Sequence, residues 1–78
     1  MTAVLDAVLS EALFASDVQR SQQPTAELIR QAIHATVDRL GVARCAEVVA
    51  EEFGEHPDCA PGRMRWARTA VRGAYAAA

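Results

Sequence analysis

Apolar residues recur every three or four positions along four separate stretches of this chain, and each stretch is bounded by Thr, Pro, Gly or Asp. That spacing places them on one side of a helix of 3.6 residues per turn, and no stretch alternates with the period of two that a half-buried strand requires. Phe14, Phe53, Trp66 and Tyr75 are the only aromatic residues, so any core is built from Ala, Val, Leu and Ile. Such small side chains suit closely spaced helices better than packed sheets. A chain of 78 residues makes a single domain over residues 1–78, and one of that size buries only about 60–65% of the surface its unfolded chain exposes. The pattern predicts an all-α fold, a compact bundle of four helices.

Thr2 is placed to cap a first helix over residues 3–15, with Leu5, Val8, Leu9, Ala12 and Leu13 as its inward stripe and Asp6, Ser10 and Glu11 on its polar side. Residues 16–24 lack periodicity and end in Pro24, which reads as an exposed connector. Thr25 caps a second helix over residues 26–40, lined by Ile29, Ile33, Thr36, Val37 and Leu40 and stopped by Gly41 in a left-handed conformation. Glu27 with Arg30 and His34 with Asp38 have the spacing of surface pairs on its other side. A third helix is predicted over residues 42–53, with Val42, Cys45, Ala46, Val49 and Phe53 inward and Gly54 closing it. Asp58 caps a fourth over residues 59–76, whose inward stripe is Ala60, Met64, Ala67, Val71, Ala74 and Tyr75. Pro61 falls in its first turn, where no backbone donor is committed inside the helix.

Charge is distributed less evenly than the net value of −2 suggests. All ten carboxylates lie at or before Asp58; against four arginines they leave residues 1–58 at −6, while Arg63, Arg65, Arg68 and Arg72 put residues 59–78 at +4. A sign change of this size points to a charged partner or to docking of one half on the other. Helical spacing sets Arg65, Arg68 and Arg72 along one flank of the fourth helix. Docking within the chain would set its arginines against Glu47, Glu51, Glu52 and Glu55 of the third. Trp66 falls away from the apolar stripe, on a side shared with Thr69 and Gly73, where the first helix or the connector would cover it; left exposed, it would form a binding hot spot with the flanking Arg63 and Arg65.

Several function classes find no support in these residues. Cys45 and Cys59 are too few for a disulfide framework and read as reduced thiols, with Cys45 a small core residue. The apolar opening carries Asp6 and Glu11 and lacks a basic start, unlike a secretory leader, and no apolar run is long enough to span a membrane. A cytoplasmic protein is expected. His56 and Cys59 have ligand-like spacing, but the remaining soft donors, Cys45 and His34, sit on two other helices; no metal site is expected. Glu51, Glu52, Glu55, His56 and Asp58 cluster without a nucleophile, a phosphate-cradling loop or an oxyanion donor set, so neither catalytic residues nor a cofactor are assigned.

The stretch VVAEEFGEHPDCAPGRMRWARTAVR, residues 48–72, resembles the promoter-contacting helix-turn-helix of sigma factor region four. Ala50, Gly54, Ala60, Arg63, Met64, Ala67 and Arg68 carry the resemblance, which implies that the last two helices form a helix-turn-helix and that the fourth approaches DNA. The chain departs from that pattern at Glu55, His56, Pro57 and Asp58, which put carboxylates at the edge facing a duplex, and at Pro61 and Gly62, where base-reading side chains belong. EHPDCAPGRMRWAR, with LFAS near the start, is also similar to a group of small actinobacterial helical proteins, a likeness that implies no activity.

The reading that follows is a non-catalytic helical binding module acting through its Arg-rich fourth helix, with Arg63, Arg65, Trp66, Arg68 and Arg72 as partner contacts. A protein partner is favoured, because of the flanking acids, over nucleic acid reached by a helix-turn-helix. A homodimer is a third arrangement, since a −6 segment and a +4 helix can pair between copies. No membrane partner is expected.

Overall fold

Two threonine hydroxyls start the chain's first two helices. Thr2 accepts a hydrogen bond from the Leu5 amide at 3.2 Å and Thr25 one from Leu28 at 3.1 Å, each satisfying an amide that the helix itself leaves unpaired. The computed structural model describes residues 2–76: α1 (Ala3–Ala15), a 3-10 turn (Arg20–Gln22), α2 (Ala26–Leu40), α3 (Val42–Glu55) and α4 (Ala60–Ala74). The described residues form an all-α bundle without strands, and every helix touches the other three. No helix among them is long and apolar enough to cross a membrane.

The four helices pack around α1, which makes the most extensive contacts with each of its neighbours. Ala12, Leu13 and Phe14 of α1 meet Ile29 and Ile33 of α2, Cys45 of α3 and Ala60, Ala67, Val71 and Ala74 of α4 in one core. Small residues on α4 let it approach α1 closely, and the two run antiparallel. Arg63 near the start of α4 reaches Phe14 and Ser16 at the end of α1, while Arg72 near its other end shares a groove with Ala3 and Asp6. By contrast α3 and α4, joined through residues 56–59, touch each other least of all the pairs. The helices of the expected helix-turn-helix are thus each held by α1 and α2 more than by one another.

Several boundaries and faces differ from the sequence expectation. The connector is not wholly exposed: Ser16 and Val18 are buried, and the Ser16 hydroxyl donates to Leu13 O at 2.6 Å while accepting from the Val18 amide at 3.3 Å. That local bond turns the chain at the end of α1 and drops Val18 onto the core. On α1 the polar side faces α4 rather than solvent, so Ser10 is buried, Asp6 and Glu11 line a groove, and Leu5 is left exposed. Val42 and Phe53, expected inward, are exposed at opposite ends of α3, although the Phe53 ring still stacks on Phe14 with centroids 6.1 Å apart. The helix does not stop at Gly54 but continues to Glu55, with His56 as its terminal residue. Asp58 makes no cap: Cys59 occupies that place without a side-chain bond, and the Ala60 amide is satisfied by His56 O at 2.9 Å. The fourth helix ends at Ala74 rather than at residue 76.

Gly41 closes α2 and opens α3 at once. Its φ of 82° and ψ of 160° lie in a region that is nearly exclusive to glycine, while nothing stands within 4 Å of where a Cβ would be. The cost of a side chain there is purely conformational. Gly41→Ala is expected to lower stability by about 1–3 kcal/mol. Gly54 lies in regular helix with equal space around it, so Gly54→Ala is expected to raise stability by about 0.5–1 kcal/mol. Urea unfolding of the two variants beside the wild type reads both signs.

Candidate functional site

The five predicted contact residues do not form one continuous outward row. Arg63 is half-buried and turned back into the bundle. Its Nε donates to Phe14 O at 3.0 Å, and its Nη2 donates to Ser16 O at 3.0 Å and Leu13 O at 3.5 Å. These are carbonyls at the C-terminal end of α1, where the dipole is negative; of the three, Leu13 O also accepts from the Ser16 amide at 3.1 Å. The guanidinium also lies over two rings, 5.6 Å from the Phe14 centroid and 5.3 Å from that of Trp66. Burial pushes its pKa below the usual arginine value, an effect only partly opposed by Glu52. The arginine remains a cation. Its guanidinium is therefore spent inside the fold rather than on a partner, a departure from the sequence expectation.

Trp66 is half-buried beside Arg63. Ala70, Gly73 and Ala74 of α4, Ala26 and Ile29 of α2, and Arg20, Gln23 and Pro24 of the connector frame a shallow hollow at its ring. The connector rather than the first helix thus gives the indole its cover on this side. Arg65, Arg68 and Arg72 are exposed, and among the described residues none of them lies within 4 Å of a carboxylate. Their charge is not consumed by the acids of α3. Arg44 of α3 takes two of those acids itself, at 2.8 Å from Glu51 and 3.8 Å from Glu47, and its pKa is raised by the bond to Glu51. Glu52 instead lies 3.9 Å from His56 Nε2.

Arg30 was not among the expected contacts and has a role that its neighbours in sequence conceal. Rather than pairing with Glu27, it donates from Nη1 to Ala74 O at 2.6 Å, capping the C-terminal end of α4. Glu27 accepts from Gln31 at 3.3 Å. Two arginines thus hold two helix ends that belong to other elements, Arg63 on α1 and Arg30 on α4. An arginine three or four residues after the start of its own helix carries no sequence mark of such a distant acceptor.

A groove of about 360 Å³ runs between the N-terminal half of α1 and the C-terminal half of α4. Ala3, Ala7, Met64 and Val71 give it apolar surface, Arg68 and Arg72 stand on one side, and Asp6, Ser10 and Glu11 on the other. One carboxylate oxygen of Asp6 is buried without a hydrogen-bond partner. Away from this groove the potentially reactive groups are scattered. Cys45 is buried, and burial followed by the field of Glu11 pushes its thiol up, away from the nucleophilic thiolate. Cys59 is exposed on the turn after His56. Among the described residues no three His, Cys, Asp or Glu side chains gather as a metal site would require.

Arg63→Ala is expected to lower stability by about 2 kcal/mol, since it strips a charged donor from part-buried carbonyls. Arg63→Lys recovers less than half of that loss, because a point charge cannot reproduce the planar fork or its stacking. Equilibrium urea unfolding followed through Trp66 fluorescence measures both, and equal stability of all three proteins would remove the capping role. Comparison with protein-family models, with curated proteins and with solved structures matches nothing to this chain.

Proposed function

We propose that the protein is a non-catalytic binding module that meets a protein partner through the exposed flank of α4. The observation that carries this reading is the set Arg65, Arg68 and Arg72, three guanidinium groups exposed on one helix flank with no carboxylate within ion-pair distance among the described residues. Exposed arginine is a residue type that dominates interfaces, because its planar fork fits carboxylates in pairs of hydrogen bonds. A conformationally settled helix offers that row without a backbone ordering cost at binding. Trp66, half-covered at the next face, adds apolar area beside it.

Two features favour a protein over a DNA duplex as that partner. Arg63, which the likeness to sigma factor region four would aim at phosphate, is occupied on α1. Glu55 and Asp58, exposed at the approach to α4, would repel a phosphate backbone. An acidic protein surface tolerates both, since it can place its carboxylates on the arginine flank alone.

The test uses Arg65→Ala/Arg68→Ala/Arg72→Ala, which leaves both internal arginine caps in place. Affinity purification from native extract with the wild type is expected to retain a partner protein, and the triple variant is expected to bind it at least about tenfold more weakly. A complex that disappears on nuclease treatment, with affinity for random duplex that falls steeply between low and physiological salt, would replace this reading with the DNA-binding one.

A further inference from the structure

The groove between α1 and α4 has a charge pattern that fits its own copy. Because the helices are antiparallel, with Arg63 at the level of Phe14–Ser16, Arg68 stands level with Glu11 and Arg72 level with Asp6. All four line the groove, yet neither arginine closes an ion pair with either acid across it. Between the two charged rims lie Ala3, Ala7, Met64 and Val71. Val4, on the same side of α1 as Glu11 by the seven-residue repeat, is 75% exposed. Apart from Asp6, Ser10 and Glu11, α1 is apolar on all sides, a composition suited to a helix covered all round. Its C-terminal half is covered, with Ala12 and Leu13 fully buried; Ala3, Val4 and Ala7 of its N-terminal half are not.

We infer that a second copy of this chain covers this groove, forming a two-fold symmetric dimer in which α4 of each protomer lies against α1 of the other. A two-fold axis along the groove keeps every residue at its own height while exchanging the two rims. Arg68 then meets Glu11 of the partner subunit, the outer of the two acids on α1. The like-charged rims never face each other. The apolar floors close on one another with Val4 at the edge, so the dimer supplies the cover that α1 lacks. An acidic protein can meet the Arg65 side of the flank, outside the groove, but within the groove the carboxylates of α1 would repel it. The inference rests on the reading of α4 as the interaction helix and names the partner of that helix.

Charge reversal tests the arrangement. Sedimentation equilibrium from about 10 μM to about 1 mM is expected to show wild-type protein passing from monomer to dimer, less readily at high salt. Glu11→Arg alone and Arg68→Glu alone should each weaken the dimer at least about tenfold, because each brings like charges together. An equimolar mixture of the two should restore it, since both cross-pairs are then opposite in sign. Val4→Glu, at an exposed position that folding does not rely on, should also weaken the dimer while helical circular dichroism is unchanged. A wild type that stays monomeric at the highest concentration overturns the inference, as does a dimer indifferent to these variants or a mixture that fails to re-form it. In each of those cases the retention of a different protein by Arg65, Arg68 and Arg72 in native extract would still stand, so the two readings fail separately.

Discussion

The fold depends on how the C-terminal end of α1 is closed. A helix end packed in a bundle leaves carbonyl oxygens that are partly shielded from water, and α1 is the helix on which the other three pack. Arg63 supplies a charged donor to Phe14 O and Ser16 O from α4, and the Ser16 hydroxyl takes Leu13 O from within the chain. The same guanidinium lies between the Phe14 and Trp66 rings. One side chain therefore ties the start of α4 to the end of α1 and packs on the indole, while the Ser16 hydroxyl turns the connector to where Val18 is buried. Arg30 does the reciprocal service at the far end of α4 through Ala74 O.

This arrangement explains why the segregated charge of the sequence does not collapse into internal ion pairs. The −6 segment contains its own cations, and Arg44 draws Glu47 and Glu51 onto the surface of α3. Since α3 and α4 touch least of the helix pairs, the acids of one are not brought to the arginines of the other. Two cations are drawn inward toward backbone carbonyls, which a neutral side chain would cap less strongly. What remains outside on α4 is Arg65, Arg68 and Arg72.

Much of the helical framework is legible from residue order alone. Thr2 and Thr25 read as caps because a hydroxyl before a periodic run has a local acceptor role, and Ile29, Ile33 and Thr36 read as core because α2 is strongly amphipathic. For α1 the same logic fails. With apolar residues on nearly every side, its own pattern does not fix which side turns inward, and in the bundle Asp6, Ser10 and Glu11 come to line the groove against α4. Gly54 misleads because glycine marks a helix end only where the backbone turns left-handed, and here it stays helical. Arg63 and Arg65 cannot be separated by composition, since the first faces carbonyls 47 and 49 residues earlier in the chain. Local pattern reaches the elements; long-range acceptors decide which charges are left over.

The single-residue joint at Gly41 has a mechanical meaning. With one residue serving as the end of α2 and the start of α3, there is no slack between them, whereas residues 16–25 separate α1 from α2. An inserted residue at the joint would swing α3 about its own axis by about 100°, carrying Cys45 out of the core and the Arg44–Glu51 pair toward it. Length variation is therefore far less tolerable at the Gly41 joint than in the connector ahead of α2.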